Sequence, residues 1–235
     1  MRDKQPKLSV IIPTLQEEDY IEALLSQLKR VNPPVEVIVV DGGSRDRTLE
    51  LAKHFTDKVY QTPQRGISKG RNYGAKKASG ELLIFLDTDV TFPTKFAEKV
   101  YETFEDPTVV GATCNILPLQ FHPAATVFFR VYNLILRVCT NFMPHSRGEF
   151  FAVRKRAFRV VNGFDETMPC LEDHDLANRL SKLGRFVFIS DLTIYESFRR
   201  FRKLGFWHVI ATWFVDYISY IFRGKPFSQV WTPIR

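Results

Sequence analysis

The chain is 235 residues long, with hydrophobic residues at 45% and charged residues at 25%. That size and balance suit one large domain, or one domain with a small appendage, and exclude a disordered tail protein or a collagen-like rod. Lysine and arginine total 33 against 26 acidic residues, a net charge of +7. The excess points to anionic partners (phosphates, nucleic acid or an acidic lipid surface) without choosing among them. Cys114, Cys139 and Cys170 are scattered and outside metal-ligand spacing, so free thiols in a reducing compartment are expected. The opening MRDKQPKLSV has no apolar core of a signal peptide.

The first half alternates strand and helix patterns. Leu8 to Pro13 is a continuous apolar run that reads as a buried strand. Ile21, Leu24, Leu25 and Leu28 give Glu17 to Lys29 helical spacing. Pro33-Pro34 ends that helix, and Val35 to Val40 is a second strand. Ser44 is expected to cap a helix through Leu51. A short strand near Val59, a helix from Ser68 to Lys77 and a third buried strand, Leu82 to Leu86, follow. Pro93 suits the first turn of a helix reaching about Glu105. Further on, Val109 to Ile116, Glu149 to Val153 and Phe186 to Ile189 read as strands, and Ala124 to Cys139 and Leu171 to Leu183 as helices. Such alternation predicts an α/β fold with a mixed, mostly parallel sheet covered on both faces. Ligands of such sheets bind at the carboxyl ends of the strands.

Three polar clusters fall where that edge is predicted. Asp87-Thr88-Asp89 follows LLIFL, and two carboxylates there can reach a hard Mg²⁺ or Mn²⁺ that keeps positions open for phosphates. Asp41-Gly42-Gly43-Ser44 follows VEVIVV; it suits a base or ribose contact, and equally a plain strand-to-helix turn. Pro13-Thr14 closes the first strand. Arg65-Gly66 and the basic stretch Lys69 to Gly74 lead into a helix start that could face a diphosphate, or form a solvated face. Glu172-Asp173-His174-Asp175 exceeds what a helix start requires, and one carboxylate there could be a general base.

In chain order, IIPTLQEEDYI, VIVVDGGSRDRT, RGISKGRNYGA, ELLIFLDTDV, GEFFAVRKRAFRVVNGFDE and EDHDLANRLSKLG span Leu8 to Gly184. In this set the chain resembles glycosyltransferase family 2, with its Rossmann-like GT-A fold. The resemblance implies a nucleotide pocket lined by Pro13, Thr14, Glu17 and Asp41, with Asp41 on the base and Arg65, Gly66 and Arg71 near ribose or diphosphate. It implies a divalent cation, Mn²⁺ or Mg²⁺, on Asp89, with Asp87 on the ribose or a metal-bound water. Asp173 would be the base of an inverting displacement, Glu172 and Asp175 would lie on the acceptor side, and Asp165 and Glu166 would support that side. Where dolichyl-phosphate mannose synthases read D-A-D-L-Q, this chain reads Asp87-Thr88-Asp89-Val90-Thr91 and lacks the Gln ligand.

Two segments are unusually apolar. In Ala124 to Cys139, Arg130, Asn133 and Arg137 lie on one face, which suits an interfacial helix with arginines on lipid phosphates, or a core helix with a polar stripe. Phe206 to Phe222 carries two tryptophans and two tyrosines between Arg199, Arg200, Arg202 and Lys203 on one side and Arg223 and Lys225 on the other. Asp216 near its middle disfavours a full span, so a helix lying in an anionic interface is expected. The expected organisation is a catalytic domain over residues 1–197 and a membrane-associated segment over 198–235. The expected partners are a GDP- or UDP-linked sugar, a lipid-linked acceptor and an anionic membrane surface at the cytoplasmic face, with no nucleic acid.

Overall fold

The computed structural model describes residues 7–62, 64–140, 142–230 and 234. Residues 1–6, on which the leader expectation rests, lie outside the described residues. Eight strands form one sheet: β1 (Leu8–Thr14), β2 (Glu36–Asp41), β3 (Val59–Gln61), β4 (Leu82–Leu86), β5 (Val90–Thr91), β6 (Val109–Pro118), β7 (Phe150–Arg154) and β8 (Arg185–Glu196). Their spatial order is β3-β2-β1-β4-β7-β6-β8-β5. β7 runs antiparallel to β4 and β6, β5 runs antiparallel to β8, and the other neighbours are parallel.

Among the described residues nine helices surround the sheet: α1 (Ile21–Leu28), α2 (Thr48–Lys53), α3 (Ile67–Lys77), α4 (Phe96–Glu105), α5 (Pro123–Cys139), α6 (Lys155–Val160), α7 (Glu172–Ser181), α8 (Arg199–Leu204) and α9 (Phe206–Arg223). Strand side chains alternate between faces, so β1 sends Val10 and Ile12 into a core with α1, α4 and α5, and Ile11 into a second core with α3, α6 and α7. α3 lies tightly on β1 and β2: a Cβ on Gly74 would stand 2.4 Å from Ile11 Cγ2.

Several local expectations change. Ser44 caps no helix; its Oγ accepts from the Gln16 amide at 2.7 Å and donates to Asp41. α2 starts three residues later than expected of a Ser44 cap, where Asp46 accepts from the Thr48 amide and hydroxyl at 3.1 and 2.6 Å. β8 runs to Glu196 because the ladder slips between Cys114↔Ile189 and Asn115↔Thr193, and the Asn115 amide caps the carbonyls of Ser190 and Leu192. Polar Ser190-Asp191 hides that continuity in the sequence.

α5 divides differently from the expected stripe. Asn133 is buried and stitches the helix to β6, accepting from the Ile116 amide at 3.2 Å and donating to its carbonyl at 2.9 Å. Arg130 and Arg137 stay exposed, flanking an outer face of Val127, Val131, Leu134, Ile135 and Val138. α9 likewise turns Trp207, Phe214, Ile218, Ile221 and Phe222 outward and Val209 and Trp213 inward. Asp216, the costly residue of a span, is buried and takes both the amide and hydroxyl of Ser228. Among the described residues no helix is long and apolar enough to cross a membrane.

Asn133→Ala should lower the unfolding free energy by about 2–3 kcal/mol, because it leaves two buried backbone groups of Ile116 unpaired. Urea denaturation checks this, and an unchanged stability would restore Asn133 to the outer stripe.

Candidate active site

The carboxyl ends of β1, β2, β4 and β8 meet the amino end of reversed β7 along one edge. Pairing Leu86 with Phe150 sets Asp87, just past β4, beside Glu149, just before β7. Burial, with the like charges of Glu149 and Asp89, pushes Asp87 up to about 7 against the pull of Arg71.

Arg71 is 1% exposed and reaches three elements at once. It donates to Asp87 at 2.9 Å, to Glu172 at 2.8 Å and to the Gly148 carbonyl at 2.8 Å. Its guanidinium thereby joins the end of β4, the start of α7 and the approach to β7. Arg65 and Gly66 are exposed before α3, with Gly66 at a φ of 138°.

Asp41 is also saturated internally. It accepts from the Gly43 and Ser44 amides at 2.9 Å each, from the Ser44 hydroxyl and from the Thr14 hydroxyl at 3.3 Å. It shapes the loop that follows β2 and ties it to Thr14. Glu17 sits on the same rim, with its amide on the Thr48 hydroxyl. Its carboxylate receives Arg199 at 2.7 and 2.9 Å, and burial still raises its pKa.

Asp89 faces the same arginine. Its Oδ2 accepts from Arg199 Nε at 2.8 Å and from the Ser197 hydroxyl at 2.5 Å. Arg199 belongs to the basic run that the sequence placed beside a membrane helix, so its role was missed; only the fold brings β8 and α8 back to β5.

α7 begins after Leu171, which holds a left-handed φ of 62°. Such a backbone costs about 1–3 kcal/mol in a non-glycine residue and clusters at functional sites. Burial and the neighbouring Asp173 push Glu172 up to about 7, opposed by Arg71. Asp173 accepts at Oδ1 from the amide and ring Nδ1 of His174, at 2.9 and 3.0 Å. Asp175 pairs with Arg179 one turn along its own helix, at 2.7 Å. Asp165 accepts from Thr167, and Glu166 accepts from Asn72 at 2.9 Å, while Asn72 also bonds both backbone groups of Phe164. Arg147, unremarked in the sequence, is buried between Glu149 and Glu196 at 2.9 Å each, over the ring of Phe129.

Residues 9–160 match the model described as glycosyl transferase family 2. The chain belongs to glycosyltransferase family 2. Succinoglycan biosynthesis protein ExoA of Rhizobium meliloti is 29% identical over 203 residues, 78% of this chain and 61% of that protein. The chain spans about three fifths of the length of the curated relatives it matches. Among solved structures, the mannosyltransferase PcManGT of Pyrobaculum calidifontis superposes at TM-score 0.69, with 22% identity over 90% of this chain and 65% of that one. TarS of Staphylococcus aureus superposes at 0.65, with 21% identity over 81% of this chain and 58% of that one. These likenesses establish the GT-A fold of the family.

Family members of this fold imply a divalent cation, and the donor set admits one of restricted kind. Asp87 and Asp89 offer two carboxylates from one turn, while no group of three or more His, Cys, Asp or Glu side chains converges among the described residues. That suits Mg²⁺ or Mn²⁺, which bind through one or two carboxylates with substrate phosphates completing the shell. A cation arriving at Asp89 competes with Arg199.

Asp87 and Glu172 both hold protons more tightly folded than unfolded. Their contribution to stability is therefore full below about pH 4 and is lost as pH rises through about 7. Arg71→Met removes the cation that limits this loss. It should cost about 3–5 kcal/mol at alkaline pH, where both carboxylates are charged, and clearly less in mild acid. Urea titrations at two pH values check the difference; an equal loss at both would show that Arg71 acts by packing alone.

Proposed function

We propose that the chain is a metal-dependent, inverting glycosyltransferase that moves a hexose from a nucleotide sugar to a lipid-linked acceptor at the cytoplasmic membrane face. The observation that carries this reading is the Arg71 junction, which holds Asp87 at the end of β4 and Glu172, next to Asp173, in one edge of the sheet. In this reading Asp87, Asp89 and Asp173 take the roles the family motifs imply for donor, cation and base.

In this reading Asp173 takes the proton of the acceptor hydroxyl as its oxygen attacks the anomeric carbon. The bond to the diphosphate breaks, and the nucleoside diphosphate leaves with the bonding pair. Asp87 and Asp89 would hold the cation, which supplies positive charge to the leaving phosphates when bound. Arg199, released from Glu17 and Asp89, is within the same pocket and can turn to the diphosphate.

GDP-mannose is the favoured donor, supported by the PcManGT complex with GDP-Man and Mn²⁺. A UDP-sugar is the alternative, supported by the TarS complex with UDP-GlcNAc and the mycobacterial glucosyl-3-phosphoglycerate synthase complex with UDP-glucose and Mn²⁺. The lipid acceptor is supported by the outer faces of α5 and α9, with Trp207 76% and Phe222 82% exposed. Arg130, Arg137, Arg202, Lys203 and Arg223 are exposed on the same helices and on α8. A cavity of about 410 Å³ lined by Phe121, His122, Phe198, Phe201 and Phe206 adjoins them.

GDP or UDP with Mn²⁺, at about 100 times its Kd, should stabilise the full chain by about 2.7 kcal/mol in a thermal-shift screen. Asp89→Ala should lose the Mn²⁺-dependent part; unchanged metal-dependent binding would remove the cation site. Asp173→Asn should bind donor normally and transfer about 10²–10⁴-fold more slowly to a hydroxyl acceptor. Normal turnover there would point to an acceptor that is already anionic.

The membrane arm is separable. The full chain should co-sediment with phosphatidylserine vesicles and be only partly released by salt, because apolar burial is unscreened. Trp207→Ser with Phe222→Ser should weaken sedimentation and leave nucleotide binding intact. If the wild type stays in the supernatant, the outer faces serve another partner and the lipid acceptor is withdrawn.

A further inference from the structure

We propose that His174 is the positioning residue for Asp173, held in place by a tyrosine–histidine box that α5 and α9 complete. The inference rests on reading Asp173 as the base, and it assigns a task to buried groups that the mechanism above leaves idle.

The hydrogen bonds decide which nitrogens carry protons. A carboxylate only accepts, so His174 donates to Asp173 through Nδ1–H, and in the neutral ring its Nε2 is then an acceptor. That Nε2 lies 3.5 Å from the Tyr132 hydroxyl of α5. A carbonyl likewise only accepts, so His145 donates through Nδ1–H to the Met143 carbonyl, and its Nε2 accepts the Tyr217 hydroxyl of α9. Burial, with the repulsion of His174, brings His145 down to about 4 and keeps its ring neutral near neutrality. The His145 ring stands edge-on to His174 with centroids 5.0 Å apart, and the Tyr217 ring is 6.0 Å from His174. His174 is itself buried.

The consequence falls on the two oxygens of Asp173. Oδ1 takes both the amide and the ring N–H of His174, which fixes the carboxylate plane. Oδ2 is the oxygen left to receive the acceptor proton. A base held this way needs no reorganisation at the moment of attack. The same fixing ties the site to α9: Tyr217 packs inward from the helix whose outer face carries Phe214, Ile218 and Ile221. Seating of α9 thus sets the ring that sets the base.

Other charged or titratable groups face Asp173 from every side. Glu172 and His174 flank it on α7, Arg71 reaches it from α3, Tyr132 from α5, Tyr220 from α9, and His145 and Cys170 from the preceding loops. None of these except His174 donates a hydrogen bond to its carboxylate among the described residues.

Two measurements test the proposal on the full chain. The first needs no turnover. Nitrogen-15 correlation spectra of the histidine rings, with His174→Asn as the assignment control, should read His174 as the Nδ1–H tautomer near neutral pH. An Nε2–H tautomer overturns the inference. The second follows transfer to water: nucleoside diphosphate released from GDP-mannose or UDP-glucose with Mn²⁺, across pH. His174→Ala should lower kcat by about 10-fold or more with the donor KM within about two-fold. His174→Asn, whose amide can replace Nδ1–H, should recover most of the lost kcat, and Tyr217→Phe should show a smaller loss with the same unchanged KM. An unmoved kcat in His174→Ala, or His174→Asn as impaired as His174→Ala, overturns the inference. If His174→Ala does not fold, Tyr217→Phe and the tautomer decide. A wild type that releases no diphosphate from either sugar fails the functional reading instead, and the tautomer result still decides the geometry.

Discussion

The site depends on one buried cation. Arg71 is withdrawn from solvent at a desolvation cost that only close partners offset. It finds them on Asp87, Glu172 and the Gly148 carbonyl, with the Phe164 ring 5.3 Å from its charge. These partners belong to the end of β4, the start of α7 and the approach to β7. Without the guanidinium, the end of β4 and the start of α7 would bring the like charges of Asp87 and Glu172 together in a dry space. With it, the two sides form one rigid edge.

Arg199 is the second cation, and its situation differs. It is partly exposed and lies on a short helix after the last strand, where it spans Glu17 and Asp89. A partly solvated ion pair is exchangeable in a way that a fully buried one is not. The same two carboxylates that expect an incoming cation or diphosphate therefore already have a charge partner. The segment beyond residue 197, expected as an appendage, supplies that partner and contributes Phe198, Phe201 and Val209 to the main core.

Arg147 gives the aromatic helices their place. Its guanidinium lies over Phe129 and Tyr132 of α5 and Trp213 of α9, while Glu149 and Glu196 hold it from the sheet. Each helix has an inner aromatic face shaped by that charge and an exposed apolar outer face, aliphatic on α5 and partly aromatic on α9. Helical periodicity alone reports two apolar faces on such a helix, and it cannot say which one is covered.

Much of this molecule was legible as sequence. Continuous apolar runs at Leu8–Pro13, Val35–Val40 and Leu82–Leu86 have few alternatives to buried parallel strands, and polar residues just after such strands must lie at the ligand edge. Asp87 and Asp89 are placed just past β4 by that rule, and Glu172 and Asp173 stood out as acidic residues opening α7. What remained illegible was decided by contacts across long separations. Arg71 and Arg199 are both basic residues in basic runs, yet one is a buried clamp and the other a pocket ion pair, because the partners that define them stand 101 and 182 residues away. Asn133 reads as part of an outward stripe until Ile116 claims it. Period and composition locate the buried central strands and the sheet edge at which they end. The partner of a charged or amide side chain is fixed only by the tertiary structure, since burial makes that partner obligatory and sequence spacing does not name it.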